Sequence, residues 1–245
     1  MIIMGKLSGK TAIITGASSG FGRGTAYAFA KEGCNLVLTA RREDRLQEAV
    51  KECEKLGVKA IYVVGDARDE QTSIDTVNAS IKAFGKIDIL VNNAGIGRVQ
   101  KIEDTTMDDY DLIMDTNVRS AFSFTKNTVP TMLQQGDGQI IMVSSVTGIK
   151  GHTDEAAYTC SKFALRGFAQ ALDQELLDKG IKTCVFCPHA GATEFEVGYG
   201  RTEEQVAKSG HLTPEDVGQA LVSVCTQTKN SRIVELRLAS NNVRY

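Results

Sequence analysis

Residues 11–30 read TAIITGASSGFGRGTAYAFA, and this stretch decides the fold. Thr11–Thr15 is a short, uncharged run rich in β-branched residues, the composition of a buried strand. From Gly22 onward small and apolar residues recur at helical spacing. Between them Thr15-Gly16-Ala17-Ser18-Ser19-Gly20-Phe21-Gly22 carries three glycines spaced G-x-x-x-G-x-G. A strand that turns through glycines into a helix offers free N–H groups and the positive end of a helix dipole to a pyrophosphate. An ordinary tight turn can carry the same glycines, so position counts: this one opens the chain's first strand–helix unit. Gly16, Ser18, Ser19, Gly20, Phe21 and Gly22 are therefore the candidate cofactor contacts of a nucleotide cradle.

The same alternation continues outward. Further strand-like runs lie at 35–39, 60–64, 87–92, 139–144, 182–187 and 233–238, and helical periodicity covers 22–32, 43–56, 71–84, 108–133, 157–178 and 214–226. Near-continuous apolar strands separated by helices predict a doubly wound α/β sheet of about seven parallel strands, with helices on both faces. Thr213-Pro214-Glu215-Asp216 has the start signals of a helix, with an N-cap threonine, proline at N1 and acids in the first turn. No linker or repeat interrupts the pattern, so residues 1–245 read as one domain, with the polar stretch 194–212 as a substrate flap.

A net charge of −2 with both signs scattered argues against nucleic-acid or membrane-surface binding. No apolar run approaches the roughly 20 residues of a membrane span, and MIIM is too short for a signal-peptide core, so a cytoplasmic location is expected. The six cysteines follow no disulfide framework. Cys184-Val-Phe-Cys187 matches C-x-x-C but lies on a strand pattern, where three-residue spacing turns the two thiols to opposite faces; core packing is the reading. His152, His189 and His211 match no metal-ligand spacing, and no metal is expected.

The second strand ends Ala40-Arg41-Arg42, where a dinucleotide fold that selects NAD(H) places an acid for the ribose 2′-hydroxyl. A guanidinium fork suits a 2′-phosphate instead, so Arg41 and Arg42 favour NADP(H). Asp66, after the third strand and followed by Ala67, is placed to accept from the adenine amino group. Tyr158 and Lys162 stand four apart at the start of a helical stretch and share one face. An ammonium there stabilises a phenolate and is expected to draw the tyrosine pKa down toward neutrality. Ser145 falls at the carboxyl end of the fifth strand, the edge where open α/β sheets bind ligands, and can hydrogen-bond a carbonyl that gains oxyanion character.

Taken together, the chain resembles the short-chain dehydrogenase/reductase family along essentially its whole length. The resemblance rests on Thr15–Gly22, Asn92-Asn93-Ala94-Gly95, Asn117, Ser145 and Tyr158-x-x-x-Lys162. It implies Tyr158 as general acid/base, Lys162 binding the nicotinamide ribose and tuning Tyr158, and Ser145 orienting the carbonyl, with Ser144 facing the other way. It further implies that Asn117 holds a relay water and that Asn92, Asn93, Ala94, Gly95, Pro188 and Thr193 border the cofactor. Ala40-Arg41 agrees with the NADP-type pattern, and helices around 117–133 and 158–178 are where relatives form homodimers and homotetramers. The implied activity moves hydride between NADP(H) and a small-molecule carbonyl or alcohol, with carbonyl and 3-hydroxy-acid substrates among the options.

One departure stands out: relatives usually read Pro-Gly after the sixth strand, and here Pro188 is followed by His189, with Gly191 two residues later. His189 and His152 join Ser145 as candidate substrate contacts, with Glu155, Arg98 and Gln100 nearby; Arg98 and Lys150 are available to an anion, but solvated loop charges are the favoured reading of the two. The plainer ending ELRLASNNVRY lacks the Gly-Gly of many relatives. Two alternatives remain: a non-catalytic NADP(H)-binding regulatory protein of the same fold, which has no need of the Tyr–Lys pair, and a Rossmann-like methyltransferase, which that pair and the two arginines disfavour.

Overall fold

The computed structural model describes residues 5–208 and 210–241; the last four residues of the ELRLASNNVRY ending and the opening MIIM lie outside them. Seven parallel strands form one sheet: β1 (Thr11–Thr15), β2 (Asn35–Ala40), β3 (Ala60–Val64), β4 (Ile89–Asn92), β5 (Gly138–Val143), β6 (Ile181–Pro188) and β7 (Glu235–Leu238). Their order is β3-β2-β1-β4-β5-β6-β7. The chain therefore winds outward from β1 in one direction, then returns to its other side at β4. This reversal opens a crevice beyond the carboxyl ends of β1 and β4, the place where a doubly wound sheet receives ligands.

The helices are α1 (Gly20–Lys31), α2 (Glu43–Glu54), α3 (Glu70–Phe84), α4 (Met107–Met114), α5 (Ser120–Gln135), α6 (Ala156–Leu176), α7 (Glu203–Lys208) and α8 (Pro214–Cys225). Alternating strand residues feed two cores, as the two-residue period of a strand requires. Ile14, Leu36, Leu38, Ile141 and Phe186 pack with α1, α2 and α8 on one face. Ile13, Val37, Leu90, Ile140 and Val185 pack with α5 and α6 on the other. Cys184 belongs to the first core and Cys187 to the second, and both thiols are free and buried. Thr213 and Asp216 form the expected reciprocal cap at the start of α8.

The expected helix over 108–133 is two helices joined by a π turn at Asp115–Arg119. Among the described residues, no helix is long and apolar enough to cross a membrane.

Candidate active site

The turn after β1 is locked to the end of β4. The Thr15 hydroxyl accepts from Asn93 N and Ala94 N, both at 2.9 Å, and Asn93 Nδ2 donates to Thr15 O at 2.8 Å. Gly16 has φ +65°, and a Cβ there would come within 2.9 Å of the Ala94 Cα, so only glycine allows the two loops to touch. Gly22 does not line the cleft: a Cβ there would meet Asn93 Nδ2 and Gly16 O at 2.5 Å, so its part is to let α1 approach. The α1 N-cap, Ser19, makes no side-chain cap and the first turn holds no acid. The helix end keeps its positive character, which fits a dinucleotide's phosphates.

The Ser18 and Ser19 hydroxyls accept instead from Arg42, whose Nη2 lies 3.1 Å from Ser18 Oγ and 2.8 Å from Ser19 Oγ. Arg42 is thus the arginine drawn onto the turn, while Arg41 lines the cleft from an exposed position. Asp66 also lines it, its pKa lowered by hydrogen bonds from Arg68. Ala67, Ala94, Gly95, Pro188 and Thr193 border the same cleft of about 990 Å³. Asn92 does not: its amide turns behind the sheet and donates to Thr125 Oγ1 at 3.0 Å.

Across the switch point stand the other candidates. Ser145, capping a short 3₁₀ turn, accepts from Thr147 N at 3.1 Å and lines the cleft together with Tyr158. Ser144 faces away and donates to Lys162 O at 2.9 Å. Lys162 Nζ donates to Val143 O at 3.0 Å and sits 5.4 Å from the Tyr158 ring centroid. Asn117 is fully buried in the π turn and lines no part of the cleft. Its amide accepts from Ile96 N (2.8 Å) and donates to Ile96 O and Ser161 Oγ (2.9 Å each), fixing the loop after β4 against α6. The expected lowering of the Tyr158 pKa is absent. Burial, then the charges of Glu196 and Glu155, hold the phenol above its ordinary value. Burial lowers Lys162 to about 8.

The sequence pattern described as short chain dehydrogenase matches residues 10–204. This chain belongs to the short-chain dehydrogenase family. An oxidoreductase named UcpA from Salmonella typhimurium is 35% identical over 233 residues, 95% of this chain and 85% of the relative. An alcohol dehydrogenase from the archaeon Thermococcus sibiricus, solved with 5-hydroxy-NADP, superposes with a TM-score of 0.87 at 25% identity, covering 96% of this chain and 98% of that one. An NAD+-bound xylitol dehydrogenase gives 0.86 at 26% identity, covering 96% and 100%.

In this short-chain dehydrogenase the stretch after β6 is a closed loop with its ends tied. Ala192 N donates to Leu212 O at 2.8 Å, and Leu212 N to Ala190 O at 3.2 Å. The Arg201 guanidinium donates to Gly191 O and Phe195 O, and α7 adds a short helix that sequence reading left as irregular flap. Phe195 brings its ring to 5.8 Å from that of Tyr158. Glu196, at φ +63°, turns its carboxylate against Gly97 beside the same tyrosine; burial first, then Glu155, raises it to about 7. Sequence reading missed both residues as partners of Tyr158, because their adjacency comes from a loop fold with no local signature.

His152 and His189 both line the cleft, and burial together with His152 lowers the pKa of His189. Arg98 lines the cleft, but it pairs with Asp109 and stacks over the Tyr199 ring, so its charge is already matched, while Lys150 and Gln100 lie off the cleft.

Proposed function

We propose that this short-chain dehydrogenase transfers hydride between the nicotinamide of NADP(H) and a ketone, aldehyde or secondary alcohol. One observation carries the reading: Ser145, Tyr158 and Lys162 meet on one wall of a cleft whose other wall is the glycine turn. Thr193 lies over the turn, 3.5 Å from where a Gly20 Cβ would stand, which suits contact with a carboxamide. A nicotinamide bound there supplies or takes the hydride. Ser145 accepts from Thr147 N, which fixes its hydroxyl in the cleft where it can donate to the substrate oxygen. Tyr158, held as a neutral phenol, is in the state needed to protonate that oxygen during reduction. Lys162 presents a cation below pH of about 8 that can hold a ribose and stabilise the phenolate left behind. Asn117 acts through position, keeping the loop that carries Gly95 next to the Lys162 amine.

NADP(H) is favoured over NAD(H) because a guanidinium, Arg42, occupies the end of β2 where an acid would serve a bare ribose. The enzyme is taken to be cytoplasmic, consistent with six unpaired cysteines, and to be a homodimer or homotetramer. The test is a panel of ketones, aldehydes and secondary alcohols, followed by the gain or loss of NADPH absorbance. The expected result is turnover of at least one compound, reduced at least about a hundredfold in Tyr158→Phe with nucleotide affinity kept. A protein that binds NADPH but never turns over, or a Tyr158→Phe variant with full activity, overturns the reading.

A further inference from the structure

The cofactor end of the cleft already contains an anion. Glu194, from the loop after β6, places Oε1 2.5 Å from Arg42 Nη2 and Oε2 2.8 Å from Arg45 Nη1. Arg42 and Arg45 stand three apart at the start of α2, so both guanidiniums reach the same side of the helix. Arg42 is in turn oriented by Ser18 and Ser19 of the glycine turn. Two guanidiniums converging on one carboxylate, one of them held in place by two hydroxyls, make an anion clamp, and a phosphate has the charge and acceptor oxygens to fill it. The arrangement is not needed by the core, since Arg42, Arg45 and Glu194 are each more than 40% exposed.

We propose that Glu194 is a cofactor-discriminating residue: an internal anion that competes with the ribose 2′-phosphate of NADP(H) for Arg42 and Arg45, and so narrows the preference over NAD(H). This rests on the dinucleotide-binding reading above. The two cofactors differ in what they ask of the site. A 2′-phosphate has to displace the carboxylate from both arginines and suffers its repulsion at close range. A bare 2′-hydroxyl donates a hydrogen bond that a carboxylate accepts, the service that an acid at the end of the second strand gives in NAD-selective folds. Glu194 supplies such an acid from the opposite wall. Hydrogen bonds from Arg42, then Ser19 and Arg45, hold this carboxyl at about 2, so the competition persists across the neutral range.

The test measures dissociation constants of NADPH, NADH, 2′,5′-ADP and 5′-AMP for the wild type and Glu194→Gln, with thermal melting as the check on folding. NADPH and 2′,5′-ADP should tighten about tenfold in the variant, the size expected when two half-exposed ion pairs no longer have to break. NADH and 5′-AMP should bind equally or more weakly. If NADPH and NADH tighten together, Glu194 only restricts entry to the cleft and the proposal fails. If NADPH binds no better, or binds worse, the proposal fails as well. A wild type that binds neither dinucleotide removes the parent reading, whereas dinucleotide binding with an unaltered NADPH:NADH ratio removes this one alone.

Discussion

Lys162 and Glu196 bring two unusual titrations to Tyr158, and they act in separate pH ranges. Lys162 is a cation below about 8 and neutral above it, so its help to a developing phenolate disappears as pH rises. In a pH profile, kcat/KM for carbonyl reduction should therefore fall through about pH 8. Glu196 has a folded value near 7 against 4.5 when exposed, so the folded protein binds the extra proton between those values. Folding stability then decreases as pH rises from 4.5 to 7, and stays reduced above. Glu196→Gln removes that penalty: urea denaturation at pH 8 should show it about 1–2 kcal/mol more stable than the wild type, with the difference gone near pH 4.5. Tyr158, Lys162 and Ser145 were legible because two share a helix face and the third ends a strand. The parts played by Glu194 and Glu196 were not, since Arg42 lies 152 residues from Glu194 and only the folded loop joins them.

At the scale of elements, α1 and α8 cross at a pair of glycines. A Cβ on Gly218 would stand 2.6 Å from the Ala28 Cβ and 2.8 Å from Gly24 O, and one on Gly24 would strike Pro214. This crossing closes the core behind the glycine turn, because Val217 and Leu221 of α8 pack in the same cluster as Phe29 of α1. Gly218→Val should lower stability by about 1–3 kcal/mol in chemical denaturation, the range for overpacking a filled site. All seven strands were legible to within a few residues, because the inner ones are near-continuous apolar runs bounded by polar turns, and β7 at the edge alternates Glu235 and Arg237 with two leucines. The π turn was not, because an extra residue in one turn leaves the apolar spacing of the flanking helices almost unchanged. Asn117 gives that turn its purpose, since its amide meets the backbone of Ile96 from there. The short α7 escaped for a simpler reason: six residues hold too little periodicity to register.

For the whole molecule, the unsettled surface is the outer side of the layer formed by α5 and α6. Phe122 and Phe163 remain 55% and 43% exposed, and Leu133 41%. Phe122 stacks on Phe168 at a centroid distance of 5.3 Å, so the aromatic surface runs across both helices. The rest of these helices is spent on the sheet: Phe124 and Leu165 are buried in the core they share. Composition could not reveal which apolar residues stay outside, and the expectation of self-association came from family resemblance alone. Aromatic rings left in water on adjacent helices gain most by meeting a second copy of themselves, because a two-fold axis lets one patch serve both partners. The double variant Phe122→Glu/Phe163→Glu places like charges against each other across such an axis, while both positions face solvent in the single chain. Light scattering after size exclusion should show the wild type as a dimer or tetramer and the double variant as a monomer that melts cooperatively. A wild type already monomeric at high concentration, or a double variant that keeps its assembly, would assign these rings to another role.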